Sequence, residues 1–70
     1  MLNEMRYVYE VYRERSFSGA ARRLFISQPS LSAMVKRAEK RIGGQIFDRS
    51  VTPVGLTPVG REYIRAAERI

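Results

Sequence analysis

The 70-residue chain lacks cysteine and histidine altogether, and it contains no long uninterrupted run of apolar residues. Without cysteine it has no disulfide framework, thiolate metal site or cysteine nucleophile, a composition that fits the reducing cytosol. Its seven acidic residues are scattered without the spacing of an acid–base pair. Charged residues between Glu4 and Glu10 interrupt the apolar N-terminus, so we expect neither a signal peptide nor a membrane-spanning helix. We therefore expect a cytoplasmic protein without a catalytic site, a metal site or a cofactor.

The charge of the chain is strongly positive for its size. Thirteen lysine and arginine residues against seven acids give a net charge of +6, with a pI near 10.5. The length supports one small domain, because a chain this short buries only about 60% of its unfolded surface. A polyanion is the obvious partner, although a solvated basic surface, a membrane or an acidic protein also fits the charge. Where the basic residues lie along the chain decides between these.

Two helices are predicted in the first part of the chain. The first begins at Leu2 and packs through apolar residues at helical spacing, which are Met5, Val8, Tyr9 and Tyr12. Acidic residues on its polar face argue against a membrane-surface role. The second spans about two turns up to Phe25, with Ser18 as its N-cap and Phe17 as a hydrophobic staple.

The third predicted helix follows after a very short connection, so it must cross the second. Ser27 caps it, Pro29 lies in its first turn, and Gly43-Gly44 ends it near Ile42. Its packed stripe consists of Leu31, Val35, Ala38 and Ile42. The opposite face is small, hydroxylic and basic, and it carries Pro29, Ser32, Ala33, Lys36, Arg37 and Lys40. Such a face suits a nucleic-acid groove.

A hairpin and a fourth helix complete the chain. The hairpin has strands at 46–47 and 54–56 around a turn at 50–53, and Arg49 is its only positive charge. Thr57 and Pro58 start the last helix. Its narrow apolar stripe is either a helix–helix seam between two subunits or monomer core, and consists of Val59, Tyr63, Ala66 and Ile70. The residues assigned to the core are Leu31, Val35, Phe47 and Leu56.

Several segments resemble the N-terminal DNA-binding domain of LysR-type transcriptional regulators. They are SFSGAARRL at 16–24, ISQPSLS at 26–32, KRAE at 36–39, IG at 42–43, FDR at 47–49 and LTPVG at 56–60. They cover nearly the whole chain in the family's order and spacing. The resemblance implies a mainly α, winged helix-turn-helix domain with a three-helix core, a short β-hairpin wing and a C-terminal linker and dimerisation helix.

The resemblance also implies a division of the chain and a set of partners. Residues 1–57 are expected to form the DNA-binding domain, and residues 58–70 to begin the dimerisation helix. The expected partners are double-stranded DNA at the nucleoid and a second copy of the chain. In the family, a larger C-terminal domain senses a small-molecule inducer and controls tetramer geometry. None of that domain lies in these 70 residues, so inducer sensing is not assigned to them.

Individual roles are assigned from the exposed face of helix 3 and, for Gln28, Pro29, Ser30, Ser32, Lys36 and Arg49, from positions that match the family. The residues expected to face bases at the start of helix 3 are Gln28, Pro29, Ser30, Ser32 and Ala33. Those expected near phosphates are Ser27, Lys36, Arg37, Lys40 and Arg49. Three alternatives stay open: Ser27 as a cap only, Arg37 and Lys40 as a solvated face, and Gln28 as an ordinary first-turn residue.

Two positions depart from the family pattern. Ala33 stands where arginine is frequent, so a guanine-binding guanidinium group is missing there and only a methyl group remains. Ala38 stands where leucine is frequent, which implies a tighter helix crossing or compensation by Phe25 or Phe47. The preferred base sequence is therefore open, as is the choice between activation and repression.

Three rival functions are weaker. The chain lacks the chemical groups that an enzyme needs and the exposed aromatic platform of an RNA-binding domain. A protein-interaction module that used only the last helix would leave the basic face of helix 3 unexplained. A dimer would place its recognition helices about one DNA turn, roughly 34 Å, apart or a multiple of it. We therefore expect a pseudo-palindromic site in duplex DNA.

Overall fold

The computed structural model describes residues 3–70, which form four helices and a two-stranded antiparallel sheet. In chain order the elements are α1 (Asn3–Glu14), α2 (Phe17–Leu24), α3 (Gln28–Ile42), β1 (Phe47–Asp48), β2 (Gly55–Leu56) and α4 (Pro58–Glu68). Leu2, the predicted first residue of α1, lies outside the described residues. No helix within 3–70 is both long enough and apolar enough to cross a membrane. The predicted architecture of helical core, hairpin and C-terminal helix is confirmed.

The apolar face of α1 is centred on Val8 and Val11, which are completely buried. Val11 is not in the predicted stripe, although its spacing of three from Val8 fits a helical face. Tyr9 and Tyr12 are only partly buried and cover the edge of the core, with ring centroids 5.8 Å apart. The tyrosines therefore shield the core rather than form its centre.

The predicted start of α2 is wrong by two residues. Ser16, not Ser18, is the N-cap, because its backbone is extended and its Oγ accepts a hydrogen bond from Gly19 N–H at 3.0 Å. Phe17 is consequently the first helical residue, and it is buried instead of stapling the entry from outside. α2 ends at Leu24, and Phe25 follows with a left-handed φ of 57° and 94% of its surface exposed.

Both ends of α3 lie where they are predicted. Ser27 is the N-cap, its Oγ accepting from Ser30 N–H at 3.2 Å, and Gly43 ends the helix with φ of 81°. Ala38 is completely buried in the same cluster as Phe47, whereas Phe25 is too exposed to compensate for its small size. Ile42 is 39% exposed, so its assignment to the packed stripe is wrong. It is the last residue of α3, where the packed interface ends.

Both strands of the wing begin one residue later than predicted, so β1 is shifted to 47–48 and β2 is shortened to 55–56. Phe47 pairs with Leu56 and Asp48 with Gly55. Ile46 and Val54 are excluded from the ladder because their N–H groups bond elsewhere, to Glu39 Oε2 at 2.8 Å and to the Arg15 carbonyl at 3.2 Å. Ile46 is completely buried. Leu56 is only half-buried against the core, which corrects its assignment to the core itself.

The start of α4 is clamped onto the chain that enters β1. Thr57, the N-cap, accepts from Gly60 N–H at 2.9 Å, and its hydroxyl donates to the carbonyl oxygen of Gln45. Its own N–H donates to the Ile46 carbonyl at 3.0 Å. A methyl group on Gly60 would overlap the Ile46 carbonyl oxygen and lie 2.8 Å from its carbon. Glycine is therefore required for this close approach.

All helices and β1 contribute to one hydrophobic core. Its buried members include Val8, Val11, Phe17, Ala20, Ala21, Leu31, Val35, Ala38, Ile46, Phe47 and Ile64. Phe17 and Phe47 meet edge to face with ring centroids 5.6 Å apart, which joins α2 to the wing. At its other end α4 is tied to α1, where Tyr9 Oη donates to Glu68 at 3.1 Å. This hydrogen bond raises the pKa of the Tyr9 phenol.

Candidate nucleic-acid interface

The exposed face of α3 brings most of the predicted contact residues together. Those that are exposed are Gln28, Pro29, Ser30, Ala33, Lys36, Arg37 and Lys40, and Ser32 is half-buried. At about 3.6 residues per turn, Pro29, Ala33, Lys36 and Lys40 project almost directly opposite the buried stripe. Ala33 therefore lies at the centre of this face, where a small side chain lets another surface approach the helix closely.

The hydroxyl groups at the start of α3 are engaged with one another. Ser27 Oγ accepts from Ser30 N–H at 3.2 Å and donates to Ser30 Oγ at 2.8 Å. Its hydroxyl thus fulfils the cap role predicted for it. Ser30 lies on the flank of α3 away from the wing, and its oxygen is the acceptor in that pair. The helix start leaves the Gln28 side chain exposed as the first residue of α3.

Unlike three other arginines of the domain, the cations on this face have no acidic partner among residues 3–70. Arg23 lies 3.3 Å from Glu10, Arg41 pairs with Glu4, and Arg65 lies 3.3 Å from Glu62. By contrast, within residues 3–70 no ion pair involves the remaining basic residues of α3, which are Lys36, Arg37 and Lys40. The exposed face of α3 therefore presents positive charge that the protein does not neutralise itself.

A groove of about 440 Å³ separates α3 from the wing, lined by Lys36, Glu39, Gln45, Phe47, Asp48, Arg49 and Ser50. Its two acids are engaged inside the protein. Glu39 accepts from the N–H groups of Ile46 and Phe47, at 2.8 and 3.4 Å. Asp48 accepts from the hydroxyl and the N–H of Ser50, which lowers the pKa of Asp48. Both acids are half-buried whereas Lys36 and Arg49 are exposed, so the rim of the groove is positive.

Arg49 has internal partners that no local sequence pattern indicates. Its guanidinium carbon lies 3.9 Å from the centroid of the Phe17 ring, and its Nη1 donates to Ser32 Oγ at 3.0 Å. Positions 17, 32 and 49 are distant in sequence, and only the tertiary fold brings them together. Ser32, predicted to face bases, is thus bonded to the wing.

The residues of the predicted seam on α4 lie in two different environments, solvent and the edge of the core. Val59 is 43% exposed, Ile70 is 71% exposed, and Ala66 is also exposed. Tyr63 is half-buried against the core, and this burial raises the pKa of its phenol. Ile70 follows the end of α4 at Glu68. The inward face of α4 consists of Gly60, Ile64 and Ala67, which are not among the predicted core residues.

The chain resembles known regulators in sequence and in structure. Residues 2–61 match the family of bacterial regulatory helix-turn-helix proteins of the lysR type. The chain is 47% identical over 66 residues to an uncharacterized HTH-type transcriptional regulator, YcgK, of Bacillus subtilis, over 94% of this chain and 20% of that protein. The chain thus spans a small part of this relative's length.

Solved structures show the same fold. The BenM DNA-binding domain in complex with catB site 1 DNA matches with a TM-score of 0.93 and 36% identity, over 99% of this chain and 74% of that one. BenM is a regulator from Acinetobacter baylyi. Full-length OxyR from Pseudomonas aeruginosa matches with a TM-score of 0.88 and 42% identity, over 99% of this chain and 23% of that one.

Proposed function

Because the chain belongs to the LysR family of bacterial regulatory helix-turn-helix proteins, we propose that it is the DNA-binding module of a transcriptional regulator. In this proposal α3 enters the major groove of double-stranded DNA, whose width of about 12 Å admits one helix. The supporting observation is the exposed face of α3, where Lys36, Arg37 and Lys40 have no acidic partner within residues 3–70.

We assign base recognition to the N-terminal half of α3. The exposed Gln28 amide has the donor and acceptor that pair with adenine. Ala33 offers only a methyl group, which suits contact with a thymine methyl and provides no grip on guanine. Pro29, Ser30 and Ser32 complete the set. Because this face has no arginine at its centre, discrimination depends mainly on Gln28 and the serines.

Phosphate contacts are assigned to the cations that surround this half of α3. Lys36, Arg37 and Lys40 follow it along the exposed face, and Arg49 lies across the groove. Ser27 is placed where the N-terminal end of a helix favours a phosphate group. These contacts carry no sequence information, and they fix the orientation of the helix on the duplex.

We further propose that the outer face of α4 pairs two copies of the chain. Val59, Ala66 and Ile70 expose apolar surface there, and Tyr63 lies at its border with the core. A two-fold dimer would bind half-sites about 34 Å apart or a multiple of that distance. Higher oligomers and inducer binding would belong to a full-length protein, since the chain spans only 20% of its Bacillus relative. A DNA partner would place the protein at the nucleoid.

The test is a binding titration over a range of salt concentrations. The duplex would be selected by the protein from a random DNA pool, with a scrambled duplex and an RNA of equal length as controls. We expect the logarithm of the binding constant to fall linearly with the logarithm of salt concentration, by about 0.9 for each phosphate contact. Salt-independent binding, or equal binding to RNA, would contradict the proposal.

A further inference from the structure

Arg49 makes two contacts inside the protein that binding of a phosphate group does not require. Its guanidinium group stacks on Phe17, the first residue of α2, and bonds to Ser32 of α3. We propose that Arg49 is a positioning residue, which makes the Ser32 hydroxyl a hydrogen-bond donor toward DNA and holds the wing against α2 and α3. The inference rests on the proposed function and names the kind of DNA atom that Ser32 contacts.

The chemistry of the Ser32 hydroxyl group determines what it can offer to a ligand. A serine hydroxyl has one proton to donate and two sites that accept, whereas a guanidinium group only donates. Arg49 Nη1 therefore occupies an accepting site of Ser32 Oγ, at 3.0 Å. Among residues 3–70 the Ser32 hydroxyl proton has no acceptor, so the proton and one accepting site of Oγ are left for a ligand. A cationic donor on the oxygen also polarises the O–H bond and strengthens the hydrogen bond it donates.

Only some of the atoms of DNA can accept a hydrogen bond from Ser32. In the major groove the acceptors are N7 of purines, O6 of guanine and O4 of thymine, and the amino groups of adenine and cytosine are donors. Ser32 in this state contacts one of those acceptors or a phosphate oxygen. It favours these acceptors over an amino group at the same place, because the cationic donor on Oγ strengthens the O–H as a donor and weakens the oxygen as an acceptor for a second donor.

The aromatic ring beneath Arg49 belongs to the packed core. Phe17 is buried and packs edge to face on Phe47, with ring centroids 5.6 Å apart, so the surface under Arg49 is part of the core. A planar guanidinium group can stack on this ring and donate in its own plane at the same time. A lysine ammonium group in the same place keeps the charge but lacks the planar fork.

The test compares Arg49→Lys and Ser32→Ala with the unchanged chain on the selected duplex. If Arg49 positions Ser32, Arg49→Lys lowers affinity about three- to tenfold and leaves the salt slope unchanged, because the positive charge is kept. Ser32→Ala produces a similar loss, and the double variant loses little more than either one, since the two residues act through one hydrogen bond. Arg61→Lys, an exposed arginine of α4 outside the interface, is the matched control.

A second measurement identifies the acceptor. Single acceptors of the duplex are removed in turn, N7, O6 or O4 by base analogues and phosphate oxygens by methylphosphonates. We expect one removal that weakens the unchanged chain but not Ser32→Ala, and it shows whether the acceptor is on a base or a phosphate. If every removal affected both proteins equally, the inference would be wrong.

The outcomes separate this inference from the proposed function. Salt-independent binding by the unchanged chain contradicts the proposed function. Steep salt dependence together with an Arg49→Lys variant that matches the unchanged chain in affinity and site preference contradicts only the positioning role. Thermal unfolding of each variant shows whether it is folded. If Arg49→Lys were unfolded, the acceptor scan with Ser32→Ala would decide alone, because that change removes one oxygen from a half-buried side chain.

Discussion

The helices α3 and α4 begin with the same sequence signal, a hydroxyl N-cap followed by proline in the first turn. At α4 the surrounding protein occupies the start, because Thr57 bonds to the Gln45 carbonyl and Gly60 abuts the Ile46 backbone. At α3 the residues from Ser27 to Ser30 are all exposed. The signal thus specifies where a helix begins, and the neighbouring chain decides whether that start remains open to a ligand.

The largest effect is expected from Gly60→Ala, which breaks the closed start of α4. The added methyl group would overlap the Ile46 carbonyl oxygen, and both partners are backbone held in regular structure or hydrogen bonds. We expect a loss of about 3 kcal/mol in the free energy of unfolding, and a fall in Tm of more than about 10 °C in calorimetry. Gly44→Ala is the matched control, since its methyl group would lie 3.5 Å from Val59 in ordinary contact. Equal Tm values for the two variants would refute the packing argument.

Gln28→Ala tests the open start of α3. Gln28 is exposed, so the Tm is expected to stay within about 4 °C of its original value. Preference for the selected duplex over scrambled DNA is expected to fall by about 1 to 3 kcal/mol, because the amide that pairs with a base is lost. Competition binding with both duplexes measures this. A uniform loss on both duplexes would assign Gln28 to the phosphates instead.

Lys36→Ala is expected to weaken binding to every duplex alike, about tenfold, and to reduce the salt slope by about one. The reason is that Lys36 has no acidic partner within residues 3–70 and is free to bind a phosphate group. Arg65→Ala is the matched control, because Arg65 lies on α4, away from α3, and already lies 3.3 Å from Glu62 of the same helix. Titrations of both variants at three salt concentrations make the comparison. If Arg65→Ala had the larger effect, the interface would lie on α4.

The smallest effect is expected at the connection that precedes the open start. Phe25 has a left-handed φ of 57° and is 94% exposed. Its backbone is therefore strained, and burial of its side chain offsets little of that strain. Phe25→Asn is expected to raise the free energy of unfolding by about 1 kcal/mol, because asparagine tolerates this conformation better. Phe25→Leu, which keeps the strain, serves as the control in urea unfolding. A less stable asparagine variant would mean that the exposed ring contributes to the fold.

Local signals in the sequence predict the helix starts well and the long-range contacts poorly. Ser27, Gly43 and Thr57 fulfil their predicted roles because caps act within three residues of the chain. Ser16 and Ser18 both have a hydroxyl group, and the choice between them depends on burying Phe17, which is a tertiary effect.

In the wing and the candidate interface, too, long-range contacts are not predicted from local sequence signals. Hydrogen bonds from Ile46 to Glu39 and from Val54 to Arg15 make both strands begin one residue later than predicted, and neither partner is near in sequence. The exposure of Lys36, Arg37 and Lys40 follows from helical spacing and is predicted correctly. The link between Arg49 and Ser32 is not, since it depends on how the wing packs across α3.

The difference between the two helix starts is tested most directly by NMR titration of the 15N-labelled chain with its selected duplex. We expect the amide signals of Gln28, Ser30, Ser32 and Lys36 to shift together, while those from Thr57 to Gly60, except the proline, stay in place. Shifts centred on the start of α4, with the signals of α3 unmoved, would contradict this expectation.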